Sequence, residues 1–400
     1  MPGKPPVVRK VVREVVVAVT DRRRATVALL LLLMALVTGT RAATLPEDKV
    51  DAFYHRYEGG GMTIDGPSVL VRKSAGNQVS FTGQYYVDSV SAASVDVLAT
   101  ASPYTEERTE YTVGVDYLEG NSILSLSYTN STENDYEANT LYLGISQEFF
   151  GNMTTLNIGY ARGWDTVMEV GNSSFEEEAD RQNYQLGITQ VLTPNSLMGL
   201  NVEVITDEGY LENPYRQNRY LDPSDPTNYL YQPERYPDTR TSVAAAISGR
   251  YYLPWRASVK GSYRYFTDDW DIEAHTVELG YVHGFGPNWI VEGGVRYYTQ
   301  EQADFYSDLY NYANSQTHLA RDKELSTFSG VTFSAGVQYQ WEQVSVPGID
   351  RLQLGLLVDY LNYDYDNFRD VTASGNYPAG QEPLYGFDAW VTRASILFEY

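Results

Sequence analysis

The chain has 400 residues, no cysteine and a formal net charge of −23 at pH 7. The lack of cysteine excludes disulfides, thiolate metal sites and a cysteine nucleophile. The strong negative charge excludes a protein that binds nucleic acid through its phosphates. Tyrosine accounts for 35 residues and glycine for 32, and the mean hydropathy is −0.37. This composition favours many strands with one wet face over a dry helical core.

Residues 1–42 have the three parts of a secretory signal peptide. The basic run Arg22-Arg23-Arg24 comes before a short apolar stretch at 25–38, and the small residues Thr40 and Ala42 follow it. A helix needs about 20 apolar residues to cross a bilayer, and this stretch is shorter. We therefore predict a cleaved signal peptide with its cut after Ala42, rather than a membrane anchor, in an exported protein.

Residues 43–77 come before the first clear strand pattern. The glycine cluster at 59–61 and the sequence Asp65-Gly66-Pro67 predict a flexible segment. Two interpretations stay open for it, a periplasmic tail and a plug inserted into a barrel.

From residue 78 onward, apolar and polar residues alternate with the period of two that strands with one apolar face require. In residues 110–117, for example, the odd positions carry tyrosine and valine while the even positions carry Glu110, Thr112, Gly114 and Asp116. The predicted strands are 78–88, 108–119, 121–132, 137–150, 152–165, 180–193, 196–208, 239–253, 256–268, 273–285, 288–303, 324–342, 349–364 and 387–400.

The connections between these strands alternate between short and long. Short ones lie at 119–121, 150–152 and 193–195, whereas 209–238 and 304–323 are long and polar. Outer-membrane barrels have this asymmetry together with an even number of strands, and a soluble sandwich has no reason to keep it. We predict an all-β, transmembrane antiparallel β-barrel over residues 78–400, with about 14 strands, short periplasmic turns and long extracellular loops.

The C-terminal strand ends on an alternating apolar triplet, Ile396, Phe398 and Tyr400. Outer-membrane barrels commonly end in this way, and the triplet is predicted to be the signal that the barrel-assembly machinery reads. The lipid bilayer of the outer membrane and that machinery are therefore the expected partners.

A set of charged residues falls on the polar, lumen-facing side of the predicted strands. These candidate selectivity residues are Glu110, Asp116, Glu148, Glu203, Arg250, Lys260, Arg264, Glu278, Glu292, Arg296, Asp359 and Arg393. One interpretation is a transverse electric field across a water-filled pore. The other is that opposite charges pair across the lumen and brace or plug it, since an unpaired buried charge is costly.

The sequence predicts no catalytic residue, no metal site and no cofactor. None of the four histidines has a metal-ligand spacing, and no nucleophile elbow or phosphate loop is present. His275 lies beside several acids near the predicted rim, and an interfacial histidine explains it better than a hydrolase site does. For the loop 209–238, rich in tyrosine and acids, a solvated external loop is favoured over one that folds inward as a constriction or presents a ligand platform.

Two segments carry a further signal: one runs from Tyr85-Tyr-Val-Asp88 to Thr109, and the other is Gly209-Tyr-Leu-Glu-Asn-Pro-Tyr-Arg216 with the residues up to Tyr220. They resemble a bacterial outer-membrane family catalogued as domain-of-unknown-function thirty-five-seventy. The resemblance extends from about residue 60 to the C-terminus. It implies a Gram-negative outer-membrane protein, and it implies no activity because the family has none assigned.

The expected function is a passive channel or uptake pore for ions or small hydrophilic solutes, without covalent chemistry. The alternative is a non-conducting barrel that serves as an envelope scaffold for a periplasmic partner, which could be a redox protein. A barrel enzyme that uses His275 is the weakest of the three expectations.

Overall fold

The computed structural model describes residues 43–100, 104–341, 344, 346 and 348–400. The predicted signal peptide lies outside these residues. Within them the chain is almost entirely β-structure, and no helix has the length and hydrophobicity needed to cross a membrane.

Sixteen strands form the wall of a barrel. Their bounds are β1 (Lys49–Gly59), β2 (Met62–Ala75), β3 (Val79–Ala92), β4 (Tyr104–Glu119), β5 (Ser122–Thr132), β6 (Tyr136–Phe149), β7 (Thr154–Met168), β8 (Glu176–Thr193), β9 (Ser196–Gly209), β12 (Thr239–Leu253), β13 (Ala257–Asp268), β14 (Glu273–Phe285), β15 (Trp289–Gln300), β16 (Phe328–Trp341), β17 (Arg351–Arg369) and β18 (Leu384–Glu399). A separate hairpin, β10 (Gln217–Asp222) and β11 (Asp225–Pro233), lies in a loop. The short helical elements are α1 (Val95–Thr100), η1 (Lys323–Leu325) and η2 (Val371–Asn376).

Each strand pairs antiparallel with its neighbours, and β1 pairs with β18 over its whole length, so the sheet closes. Closure leaves no strand edge without a hydrogen-bonding partner, as a hydrocarbon environment requires. The predicted fold class, an all-β antiparallel barrel of the transmembrane type, is therefore confirmed. The count is 16 strands where the sequence predicted about 14.

The two additional strands come from residues 43–77, so the prediction of a flexible tail or plug there is wrong. β1 and β2 belong to the wall and pair from Lys49↔Arg72 to Gly59↔Met62. The pattern was hidden because Gly66 and Pro67 interrupt β2. Pairing between β2 and β3 is interrupted at these two residues, which accommodates a proline without a backbone donor.

The barrel has two distinct ends. The end with the short turns, such as those at 120–121 and 194–195, also carries the N- and C-terminal ends of the wall, and we call it the turn end. The opposite end carries long connections, among them 210–238, 301–327 and 370–383, and we call it the loop end. This asymmetry is the one that the sequence predicted.

The outer surface is apolar and is rimmed by aromatic rings at both ends. Trp255, Trp289 and Trp341 lie near the turn end, and Trp164 and Trp390 lie near the loop end, all with more than a third of their surface exposed. Neighbouring tyrosines contact them, as where the Trp390 and Tyr360 ring centroids lie 4.9 Å apart. An apolar band between two aromatic girdles is the arrangement that a bilayer with two interfaces favours.

Candidate functional site

The strand register places every charged residue predicted for the lumen on the inner face of the wall. On β4, Glu110 and Asp116 alternate with the exposed Tyr111, Val113 and Tyr117 of the outer face. The residues so placed are Glu110, Asp116, Glu148, Glu203, Arg250, Lys260, Arg264, Glu278, Glu292, Arg296, Asp359 and Arg393. Their role in selectivity stays a prediction.

Ion pairs engage part of this set. Glu203 lies 3.5 Å from Arg264, and Glu278 lies 3.5 Å from Arg296. Arg108, which the sequence analysis did not select, holds Glu110 at 2.6 Å. Within the described part of the chain, the residues of the set without an ion pair include Arg250, Lys260, Glu292 and Asp359. Bracing therefore explains some of the lumen charges, and others face the lumen without a counter-charge from the protein.

A buried polar cluster on the lumen wall was missed by sequence reasoning. The Nε2 atom of His55 on β1 lies 2.7 Å from an Asp88 carboxylate oxygen on β3, and the Tyr86 hydroxyl donates to the same oxygen at 2.9 Å. The His55 and Tyr86 rings are stacked with centroids 5.3 Å apart. The cluster ties β1 to β3 across β2. The feature of the sequence that could have indicated this cluster is the Tyr86-x-Asp88 spacing, which lies in the first of the two segments that resemble the family.

Three loops at the loop end fold together into one unit, which we call the cap (residues 210–238, 301–327 and 370–383). The Leu221 amide donates to the Tyr310 carbonyl, the Arg235 amide to the Leu319 carbonyl, and the Ala379 amide to the Thr227 carbonyl, each at 2.9 Å. The loop 209–238 is therefore folded against its neighbours, although most residues of β11 within it stay exposed.

An apolar core joins the cap to the inner wall and to neighbouring connections near the loop end. The core contains Val95, Trp270, Ile272, Ala303, Phe305, Tyr306, Ala320, Leu325, Tyr365, Phe368 and Val371. Phe328, Tyr363 and Phe387, on the lumen faces of β16, β17 and β18, pack against it. The cap is thus seated inside the mouth on the β13–β18 side.

A buried charge network locks the three loops of the cap to one another. Arg219, fully buried, donates through its guanidinium group to Glu382 at 2.5 Å and to the Asp308 carbonyl at 2.9 Å. Arg321 lies 3.0 Å from the Asp308 carboxylate. Burial would raise the pKa of Glu382, but its hydrogen bonds with Arg219 and with backbone amides hold that pKa below its ordinary value.

A second buried carboxylate of the cap has the opposite shift. Burial, together with the nearby Asp322 charge, raises the pKa of Glu234 to about 7. Glu234 accepts hydrogen bonds from the Arg321 amide at 2.6 Å and from the Tyr236 hydroxyl at 2.8 Å. The Tyr236 ring also contacts Trp270 of the apolar core, with centroids 5.6 Å apart. Glu234 is thus connected to the apolar core through Tyr236.

An acidic cavity of about 360 Å³ lies at the loop end, between the cap and the ends of β6–β9. Tyr136, Tyr210 and Tyr215 line it together with a majority of carboxylates over guanidinium groups. Beside it, carboxylate oxygens of Glu106, Glu133 and Asp135 lie within 4.8 Å of one another, a donor set that suits a hard cation. Such a surface attracts cations to the mouth.

A second cavity, of about 400 Å³, lies in the lumen below the cap along β5–β9. Its lining contains Tyr142, Asn157, Gln185 and Asn201 together with several glycines. The inner wall is therefore not filled by side chains at this level.

The remaining residues singled out by the sequence analysis lie on the outer face or at the C-terminus. His275 faces outward, where its Nδ1 atom lies 2.7 Å from the Tyr263 hydroxyl. Ile396 and Phe398 lie on β18 and pair with Ala52 and Val50 of β1 at the closure. The Tyr400 hydroxyl donates to the Arg72 carbonyl at 3.1 Å. The assembly role of this triplet stays a prediction.

A comparison with models of protein families identifies the family of the chain. The model described as "Protein of unknown function (DUF3570)" matches residues 23–184 and 172–376. The chain belongs to this family, as the two quoted segments predicted. No curated protein matches the sequence.

Several solved structures are similar in architecture at low sequence identity. A bacterial polysaccharide outer-membrane secretin has a TM-score of 0.48 at 8% identity, over 89% of this chain and 100% of its own. OmpT of Vibrio cholerae has a TM-score of 0.43 at 9% sequence identity, and the match covers 90% of this chain and 100% of OmpT. OpdK of Pseudomonas aeruginosa, solved with vanillate, has a TM-score of 0.43 at 10% sequence identity, and the match covers 90% of this chain and 100% of OpdK.

Proposed function

We propose that the protein is a passive channel of the Gram-negative outer membrane, with its loop end outside the cell and its turn end in the periplasm. The observation that carries this proposal is the inner wall below the cap, which is polar and glycine-rich and leaves a space of about 400 Å³ unfilled. A barrel built only as a scaffold has no need of a wet interior. The apolar outer face between two aromatic girdles supports the location.

The proposed mechanism is diffusion with selection by charge. The acidic cavity at the loop end concentrates cations at the entrance, and unpaired lumen charges such as Asp359 act on ions that pass. The cap narrows the mouth on the β13–β18 side and is the element that would regulate entry. No covalent step is required, and we expect no enzymatic activity.

Single-channel recording of the refolded chain in a planar bilayer with asymmetric KCl tests the proposal. We expect steady openings with a preference for K⁺. Asp359→Asn removes a lumen charge and should reduce that preference, whereas Asp388→Asn removes an outward-facing charge that binds the Tyr360 hydroxyl and should leave it unchanged. A closed barrel that stays silent in the bilayer would refute the channel.

The second candidate is a non-conducting envelope scaffold, and the cap is the observation that favours it. The apolar core that joins the cap to the inner wall would hold these loops in the mouth as a plug. A scaffold predicts silence in the bilayer and a periplasmic partner that binds at the turn end. Because β1 and β2 are part of the wall, such a partner would have to bind the turns and the short segment at 43–48.

A further inference from the structure

The recess in the inner wall along β5–β9 has the features of a built binding site. Its volume of about 400 Å³ lies in the range of small-molecule sites. It lies below the cap, so a solute that passed the mouth would meet it inside the lumen. The residues that line it come from five consecutive strands, which places them on a rigid wall rather than on loops.

Glycines give the recess its depth and hold one aromatic ring against its floor. A Cβ atom at Gly144 would lie 2.7 Å from the Tyr142 hydroxyl oxygen, and one at Gly159 would lie 3.1 Å from it. Any larger residue at these two positions would therefore displace the Tyr142 ring. Gly187, on the next strand, similarly makes room for the Asn201 side-chain oxygen, which lies 2.7 Å from where its Cβ would be.

Three amide side chains of the recess are available to a ligand. Among the described residues, Asn157, Gln185 and Asn201 form no side-chain hydrogen bond with the protein. The charge at the edge of the recess is already engaged, because Glu203 accepts from the Asn183 amide at 2.7 Å and lies 3.5 Å from Arg264. The recess thus combines free amide donors and acceptors with an aromatic ring and little free charge.

We propose that this recess binds neutral polyhydroxylated solutes of mono- to disaccharide size. An amide group offers one donor and one acceptor side by side, which matches a hydroxyl group that both donates and accepts. The flat face of Tyr142 suits the apolar C–H face of a sugar ring. An ion gains little at such a site, since its charge would meet no free counter-charge. The inference rests on the proposed channel, through which the solute reaches the recess.

Isothermal titration calorimetry on the full, folded barrel in detergent tests this inference without requiring conductance. The probes are maltose, which is neutral, and gluconate, a polyhydroxylated anion. Asn157→Ala should weaken maltose binding by about fivefold, the effect of one net hydrogen bond. The matched control is Gln353→Ala, which removes a lumen amide that Gln338 and Gln340 already engage, and it should leave the affinity unchanged.

The inference is supported if the protein binds maltose, if Asn157→Ala weakens that binding, and if Gln353→Ala leaves it unchanged. A folded barrel that conducts ions but binds no maltose, or that binds gluconate more tightly than maltose, would overturn it and leave the channel standing. Maltose binding by a barrel that never conducts would support the recess as a site while it refutes the channel. A heat-dependent shift on gels confirms that each variant is a closed barrel.

Discussion

At the scale of single residues, the cap contains two kinds of buried ionisable group: Arg219, which is paired with carboxylates, and Glu234, whose pKa is raised. Arg219 has no exposed surface and must stay charged to satisfy Glu382 and Asp308. Glu234 is 5% exposed, and its carboxylate accepts hydrogen bonds from the Arg321 amide and the Tyr236 hydroxyl. Removal of one partner of a buried ion pair leaves an unpaired charge, and this costs more folding free energy than the absence of both partners does. The Arg219 network therefore ties the three loops of the cap together, and the raised pKa of Glu234 predicts a response of the cap to pH.

We predict that the cap becomes less stable as the pH rises from about 5 to 8. The folded cap holds a proton on Glu234, whose pKa is about 7, whereas the unfolded chain releases that proton near pH 4.5. Because the folded state binds more protons in this range, its stability falls as the pH rises, by about 3 kcal/mol in total. Hydrogen exchange of residues 301–327, measured against pH, reports the change.

Glu234→Gln mimics the protonated carboxyl and should flatten most of this pH dependence. Some slope should remain, because burial also raises the pKa of Glu212 in the same loop. The control is Glu176→Gln, at an exposed position outside the cap. Protection that is equal at pH 5 and pH 8 in the unaltered protein would contradict the assignment of Glu234 as the group responsible.

At the scale of secondary-structure elements, the β1–β2 hairpin completes the barrel, and Gly66 is its most constrained residue. A Cβ atom there would lie 1.8 Å from the Val87 carbonyl oxygen on β3. That contact involves backbone on both sides, so neither strand can yield without losing pairs of the ladder. The interruption that hid β2 from sequence analysis is therefore also a point at which any side chain on β2 would collide with the backbone of β3.

We predict that Gly66→Ala destabilises the closed barrel by about 2 kcal/mol or more, because it forces apart two strands next to the closure. Gly83→Ala is the matched control, since Gly83 lies on β3 and a Cβ there meets nothing within 4 Å. The measurement is the urea midpoint at which the folded band is lost from unheated gels. Equal midpoints for the two variants would show that a Cβ atom at residue 66 does not collide with the Val87 carbonyl.

The wall could be predicted from the sequence because its signal is local. Alternation such as that of Tyr111, Val113 and Tyr117 is visible within a few residues, and turn lengths gave the ends of the barrel. The cap could not be predicted, because its contacts are remote in sequence: 89 residues separate Arg219 from Asp308, and 163 separate it from Glu382. The lumen recess was also invisible, since it consists of what the glycines leave unfilled.

At the scale of the whole molecule, the six tryptophans distinguish the lipid-facing surface from the cap. Trp164, Trp255, Trp289, Trp341 and Trp390 lie on the outer face with 37% to 55% of their surface exposed. Trp270 is only 4% exposed, and its indole N–H donates to the Thr239 carbonyl at 2.9 Å inside the mouth. The same residue type therefore reports on two environments within one chain.

We predict that brominated lipids quench most of the tryptophan emission of the barrel in vesicles, because five of the six indoles lie at the lipid-facing girdles. A variant that retains only Trp390 should be strongly quenched, and one that retains only Trp270, with the other five replaced by phenylalanine, should be quenched little. Urea-unfolded protein mixed with the same vesicles is the control for unspecific contact. Equal quenching of the two single-tryptophan variants would mean either that the outer face does not contact lipid or that the cap does not enclose Trp270. Lipids that carry bromine at different depths distinguish these two explanations. A girdle tryptophan is quenched most by bromine near the interface, whereas the quenching of a tryptophan inside the mouth does not depend on the depth of the bromine.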